Sequence, residues 1–247
     1  MTDYDDEARE YDASRGGEPR ARAAAKALQE LLPQAPGTVL DLARGTGVVA
    51  RRLRRPGRTV LGVDRSDGML ELAARRVPRG VIRGDATRLP LKPGSVDAMV
   101  IVWLLRLLPD PTAVLAEAAR VLRPGAVLVT TVDKDDAYFV PDSDMARITA
   151  HLRERYRSRA ADGRTRVRDR ADAHGPRPAG ETVFPGAGQG RSPRRRREVV
   201  DSGRIPWCAH AEPAQVAELC RRLAAPPEQD RARPDPLYRL LALEKTP

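Results

Sequence analysis

Asp41-Leu42-Ala43-Arg44-Gly45-Thr46-Gly47-Val48-Val49-Ala50 stands where a short apolar run, Thr38 to Leu42, gives way to a helix-like segment, Val48 to Leu53. A glycine-bearing turn at such a junction lets backbone approach a ligand closely. The N–H groups at the start of the following helix have no partner within it and can donate to that ligand. Glycine turns after strands also arise from packing alone, so the stretch takes its meaning from what surrounds it.

Outward from the loop, strand and helix patterns alternate. Glu18 to Leu32 predicts an Ala/Leu-rich helix stopped by Pro33 and Pro36, and Pro56 with Gly57 closes the segment after the loop. Thr59 to Val63 predicts a second strand. Met69, Leu70, Ala73, Ala74 and Val77 recur at helical spacing behind a cap at Ser66 or Asp67. Gly80 to Gly84 and Val96 to Val102 supply strands three and four, Asp110-Pro111 opens a helix to Leu122, and Ala126 to Val132 is a fifth strand. Five strands separated by four helices predict a doubly wound α/β fold with a parallel sheet. Past Asp133 the pattern changes. Asp144 to His174 reads as one charged helix in an insertion or lid, Thr182 to Phe184 as a short strand, Ser192 to Val200 and Glu212 to Ala224 as helices, and Leu237 to Leu243 as a last strand. Gly175 to Gly180 and Ala225 to Pro236 read as surface connections.

Composition narrows the class. A chain of 247 residues with 41% hydrophobic residues can bury one sizeable core. The longest apolar stretch, Met99 to Leu108, is broken by Arg106 and is far short of the about 20 residues that span a bilayer. Residues 1 to 12 are acidic and carry no hydrophobic segment, so no secretory leader and no membrane association is expected. Cys208 and Cys220 form neither a CxxC nor a zinc-ligand grouping, which predicts no metal and a cytoplasmic location. The net charge of +10 and the run Arg194 to Arg197 would suit phosphates. Yet the arginines are scattered and aromatic residues are only 4%, leaving few platforms for bases. A solvated basic face, not a nucleic-acid partner, is the reading. A monomer or homodimer is expected.

Gly45-Thr46-Gly47-Val48-Val49-Ala50 also fits the GxGxxA form of a dinucleotide fingerprint, with Asp64 near the distance of a ribose-binding acid, so an NAD(P)-binding oxidoreductase is one reading. Asp41 favours another. A carboxylate at the start of the loop serves a pyrophosphate poorly and suits a ligand carrying an ammonium or sulfonium.

From residue 11 to residue 133 the chain resembles a class I S-adenosylmethionine-dependent methyltransferase, and its last segment resembles the closing strands of that fold. Residues 41 to 47 are similar to the acid-x-G-x-G-x-G loop that wraps the methionine part of the cofactor, carried here by Asp41, Ala43, Gly45 and Gly47. Asp64 matches the acid that bonds both ribose hydroxyls, with Arg65 and Met69 beside the adenine. Asp85 and Ala86 resemble the turn that receives the adenine amino group, and Val102 with Trp103 follows the fourth strand where that family lines the cofactor. Tyr11 and Arg15 lie in a segment resembling the one that closes over the methionine end. The resemblance implies a Rossmann-like, mostly parallel seven-stranded sheet with an antiparallel last strand and a helical lid. It implies S-adenosyl-L-methionine as cofactor and a small-molecule acceptor, including the specialised metabolites that such enzymes tailor.

Three positions depart from the pattern. Ala43 replaces a glycine, a mild change if its φ stays negative. Arg44 replaces a small residue, and is read as turned to solvent, with the cofactor carboxylate as its other target. Arg106 stands where histidine is frequent. These departures motivate a third reading, a non-catalytic or repurposed S-adenosylmethionine-binding protein. No Asn-Pro-Pro-Tyr or Asp-Pro-Pro-Tyr follows the fourth strand, where base-modifying relatives carry one; Trp103-Leu104-Leu105-Arg106 is there instead. If the acceptor must lose a proton, Asp133, Asp135, Asp136 and Tyr138 at the carboxyl edge and the histidines, His151 among them, are the candidates for a base. The organisation expected is one domain over 1–247: a helical cover (1–36), a cofactor core (37–133), an insertion or lid (134–180), and closing helices and strands (181–247).

Overall fold

A computed structural model describes residues 4–156, 160–203, 205, 208 and 210–246. Among them, seven strands form one sheet in the order β3-β2-β1-β4-β5-β7-β6. The strands are β1 (Gly37–Leu42), β2 (Arg58–Asp64), β3 (Val81–Arg83), β4 (Val96–Ile101), β5 (Leu122–Val132), β6 (Pro176–Pro185) and β7 (Leu237–Lys245). The first five run parallel, and β7 is antiparallel to both neighbours, β5 and β6. The expected architecture is the one observed.

Alternation along the central strands divides the core into two layers. Leu40 and Leu42 of β1, Met99 and Ile101 of β4, and Leu241 and Leu243 of β7 pack on one face of the sheet. Val39, Ala98, Val100, Leu240 and Ala242 pack on the other. The first face is covered by α5 (Thr112–Val121) and α7 (Arg164–Asp172), the second by α2 (Gly17–Leu31) and α3 (Ala50–Leu53). Burial on both faces is why these strands read as continuous apolar runs. The other helices are α1 (Tyr4–Ser14), α4 (Asp67–Arg76), α6 (Asp144–Tyr156), α8 (Pro193–Asp201) and α9 (Pro213–Ala224). A third apolar cluster, built on Met145, Leu152, Val200, Leu219 and Leu223, joins α6, α8 and α9.

Three expectations are corrected. Three helices, not four, separate the first five strands: the segment between β3 and β4 contains Pro90 and Pro93, and prolines deny it a helix. The acidic N-terminal residues, within the helical cover expected over 1–36, form α1. The charged stretch from Asp144 to His174 is two helices, α6 and α7, with the intervening residues 157–159 outside those described. The Gly175 to Gly180 stretch, read as a connection, belongs largely to β6. Because β6 is an edge strand, the N–H groups that Pro176 and Pro178 lack are not needed there. No helix among the described residues is long and apolar enough to cross a membrane.

Candidate active site

The loop after β1, the ends of β2 and β3, and the turn after β4 converge at the carboxyl edge of the sheet, the place where open α/β sheets take their ligands. They enclose a cleft of about 430 Å³, within the range of small-molecule sites. Ala43, Gly45, Asp64, Arg65, Met69, Asp85, Ala86, Val102, Trp103 and Tyr11, named from the sequence, all line it. Tyr4 and the apolar Leu104, Leu107 and Leu108 complete its wall and were not foreseen.

Asp64 ends β2 and organises the loop opposite it. Its Oδ2 accepts the N–H of Gly45 at 2.8 Å and its Oδ1 accepts the N–H of Ser66 at 3.0 Å. Ser66 in turn caps α4 by accepting from the N–H of Met69 at 3.1 Å. Asp85, exposed at the rim, accepts from the N–H and hydroxyl of Thr87 at 2.7 and 2.8 Å. These bonds hold its carboxyl below the usual range. Asp64 and Asp85 thus present carboxylates at separate points of the same wall.

Arg15, Asp41 and Gly47 are not among the residues that line the cleft. Arg15 is exposed, reaching Glu7 at 3.4 Å. Gly47 lies against Ala73 of α4, where a side chain would have to displace the helix. Asp41 is 3% exposed, and burial pushes its carboxyl up to about 7 despite the Arg44 guanidinium nearby. It therefore faces the interior and not a ligand cation.

Two departures from the loop pattern turn out differently from expectation. Ala43 has φ 54°, in the left-handed region, so the methyl group is strained by about 1–2 kcal/mol. Arg44 reaches neither solvent nor cleft. It is 5% exposed, lies against Gly62, and donates from Nη1 to the carbonyl of Gly80 at 2.5 Å, while its Nε and Nη2 and the Oδ2 of Asp41 have no hydrogen-bond partner among the described residues.

The N-terminal helix is fastened over one side. Asp5 Oδ1 accepts from the Ser66 hydroxyl at 2.5 Å and the Gly68 N–H at 2.8 Å, at the start of α4. Asp12 accepts from the Thr46 hydroxyl at 2.6 Å and pairs with Arg76 at 2.7 Å. These two carboxylates position Tyr4 and Tyr11 in the cleft, and burial raises both phenols.

Trp103 forms the opposite wall at φ 70°, a strained conformation for so bulky a residue, held by its N–H donating to Thr131 Oγ1 at 2.8 Å. Its ring meets Tyr238 and Phe184 with centroids 4.5 and 5.9 Å apart. Among the candidates for a base, Asp133 is used by accepting the Arg164 N–H at the start of α7, at 2.9 Å. His151 is exposed on α6, with Nδ1 2.9 Å from Arg222 Nη1. Neither lines the cleft. Tyr138 is close to the Trp103 wall, its hydroxyl 3.3 Å from that of Tyr238. Lys134, not foreseen, places its ammonium 5.0 Å from the centre of the Trp103 ring. Burial, with Arg106 and Arg20 adding repulsion, pushes it down to about 7. The sequence signal for it was slight: one lysine inside an acid run after a strand. No grouping of described His, Cys, Asp and Glu residues could hold a metal ion.

Residues 40–130 match the family described as the methyltransferase domain. Over 106 residues the chain is 47% identical to a demethylmenaquinone methyltransferase of Mycolicibacterium paratuberculosis, covering 42% of this chain and 45% of that protein. The chain thus spans about half the length of the curated relatives it matches. Two solved structures share the fold. A methyltransferase of Thermotoga maritima, described as a possible histamine N-methyltransferase, aligns over 98% of both chains at TM-score 0.60 and 19% identity. The geranyl diphosphate C-methyltransferase of Streptomyces coelicolor, in complex with Mg2+, geranyl diphosphate and S-adenosyl-L-homocysteine, aligns over 91% of this chain and 79% of that one, at TM-score 0.53 and 18% identity. The loop, the two carboxylates and the strand order agree with this match: residues 40–130 are similar to a methyltransferase domain, and the chain shares the fold of these solved methyltransferases.

Proposed function

We propose that the protein transfers a methyl group from S-adenosylmethionine to an O, N or C nucleophile of a small organic molecule, a specialised metabolite by class, in the cytoplasm. The observation that carries this reading is the convergence of Gly45, Asp64 and Asp85 from three strand ends on one cleft. Asp64 would receive the ribose hydroxyls, Asp85 and Ala86 the adenine edge, and Met69 and Val102 the apolar faces, with Arg65 at the rim and Tyr11 closing the methionine end. The cofactor brings a methyl carbon already activated by the sulfonium, so an in-line displacement needs alignment and dryness from the protein before it needs a catalytic group. Trp103, Leu104 and Leu107 give the cleft apolar walls. If the acceptor must shed a proton, Tyr138 is the best placed of the bases named from the sequence, and Lys134 is a further candidate beside it. The relatives' name gives demethylmenaquinone as the acceptor in those proteins, but the matched part is about half of this chain or less.

Calorimetry with S-adenosylhomocysteine and with NADH tests the reading. S-adenosylhomocysteine should bind and NADH should not, and Asp64→Ala should weaken the former by about 1.5–3 kcal/mol, the scale of hydrogen bonds to a charged group. Binding of NADH alone would replace this reading with the oxidoreductase one. Asp85→Ala should cost less, since water can partly replace a rim contact.

A further inference from the structure

On the methyltransferase reading above, Trp103 lines the cleft that the acceptor shares, and the side chains set around its ring are cationic. Arg20, from the first turn of α2, sets its guanidinium carbon 5.2 Å from the centre of the Trp103 ring, and the Lys134 ammonium is 5.0 Å from the same centre. Arg196, from α8, sits 4.9 Å from the centre of the Tyr138 ring, and Arg191 sits 5.2 Å from it. The Tyr138 and Tyr238 rings are 6.3 Å apart, and Tyr238 packs on Trp103, so the four cations border one continuous aromatic patch. Arg20 is 9% exposed and Arg196 is 6% exposed.

None of the four makes an ion pair with a carboxylate among the described residues. Arg20 and Lys134 donate no side-chain hydrogen bond there, and Arg196 Nε is buried without a partner. The carboxylate whose charge acts on both Lys134 and Arg196, Asp135, is already paired with Arg106 at 3.2 Å. Arg194 and Arg195, the neighbours of Arg196, behave differently: they pair with Asp230 at 2.7 Å and with Glu198 at 2.8 Å on the outer face of α8. The basic run is thus split by helical geometry, two arginines facing water and one turned inward. Taking cations out of water without counter-charge is costly, and a protein retains such a group where a ligand supplies the missing charge.

We infer that the acceptor is an anion, a small planar or apolar molecule bearing a carboxylate or a phosphate that Lys134, Arg20 and Arg196 receive beside the Trp103–Tyr238–Tyr138 patch. Trp103 and Tyr138, part-buried beside the fully buried Tyr238, give the apolar body of such a molecule aromatic surface to lie against, while the cations fix the end that does not react. Selectivity against neutral molecules of the same shape follows, because an uncharged acceptor would leave the cations unpaired.

The test uses thermal unfolding of the full chain with benzoate, phenyl phosphate or neutral benzamide added at ionic strength matched with chloride. One or both anions should raise the melting temperature of the wild type while benzamide does not, and whichever anion succeeds tells carboxylate from phosphate. In Lys134→Met and in Arg20→Met the apparent dissociation constant for that anion should rise about tenfold or more, whereas Arg221→Met, on the exposed side of α9, should match the wild type. The ligand-free melting temperature of Lys134→Met should equal or exceed that of the wild type, because removing one of several unpaired cations relieves repulsion. No anion-specific shift in the wild type, or an equal shift in Lys134→Met, overturns the proposal. S-adenosylhomocysteine affinity, measured in parallel, reports on the methyltransferase reading separately: it can stand while the anion shift is absent.

Discussion

Arg44 occupies the volume that a side chain at Gly62 would fill: a Cβ built at residue 62 would overlap the Cδ of Arg44 and lie 2.5 Å from its Nε. The two residues come from the loop after β1 and from the neighbouring strand β2, and the carbonyl of Gly80 accepts from both, from Gly62 N–H at 2.7 Å and from Arg44 Nη1 at 2.5 Å. Gly62→Ala should therefore destabilise the protein by about 1–3 kcal/mol, the usual cost of overpacking. The same substitution in an Arg44→Ala background should cost much less. Denaturant unfolding of the four proteins gives the coupling, and additive effects would separate the two residues.

Ala43, held at φ 54°, should be improved by glycine. Relief of about 1–2 kcal/mol of strain outweighs the roughly 0.5–1 kcal/mol that glycine's freedom costs in the unfolded chain. Ala43→Gly is expected to raise the melting temperature and to leave S-adenosylhomocysteine affinity intact or better. Ala43→Val, with a branched side chain in the same conformation, should lower both.

Asp41 makes stability depend on pH. Its carboxyl titrates near 7 when folded and near 3.8 when unfolded, with burial as the main cause, Arg44 opposing it and Asp64 adding to it. The folded state then holds the proton more tightly. The contribution is fully present below the unfolded value and is lost as pH rises through about 7. Across that window the wild type should lose unfolding free energy relative to Asp41→Asn, which keeps a neutral side chain throughout. A pH-independent difference between the two would mean that Asp41 stays ionised beside Arg44.

Much of this could be read from the chain itself, and the misses have identifiable causes. Leu40, Leu42, Met99 and Ile101 announced buried strands because both faces of the sheet are covered. Asp64 and Asp85 were legible because each ends or follows a strand at one edge. Arg44 was misread because its slot is made by glycines distant in sequence, and a local reading sends a long cation to water. Arg20, Lys134 and Arg196 were missed for the same reason: α2, the turn after β5 and α8 meet only in the fold. The bounds of α1 within the expected helical cover were not legible because Ala8 is its only described residue to be fully buried, so periodicity was faint. Asp5 and Asp12 hold it through side-chain bonds that no pattern reveals.

Those bonds give a further test. Asp12→Ala removes the acceptor of Thr46 and the partner of Arg76, both at part-buried positions, and should cost about 1–2 kcal/mol. Hydrogen exchange over residues 4–14 should quicken in the variant. In the wild type, S-adenosylhomocysteine should slow exchange there and across the segment from 133 to 180 if the two cover the site together. Unchanged exchange in both segments, with ligand present, would leave them as scaffold.

The position of β7 between β5 and β6 bears on how the chain matures as it is made. Synthesis delivers β1 through β5 first, and that parallel half can begin to assemble while later segments are still being added. β6 emerges next but has no place to pair, because its neighbour in the sheet, β7, has not yet been made. Until Leu237–Lys245 arrive, the outer edge of β5 stays open, and so does the surface on which Trp103 and Tyr238 meet. The anion-facing half of the molecule is thus the last to close, and a nascent chain stalled before β7 would carry an exposed strand edge for quality control to recognise.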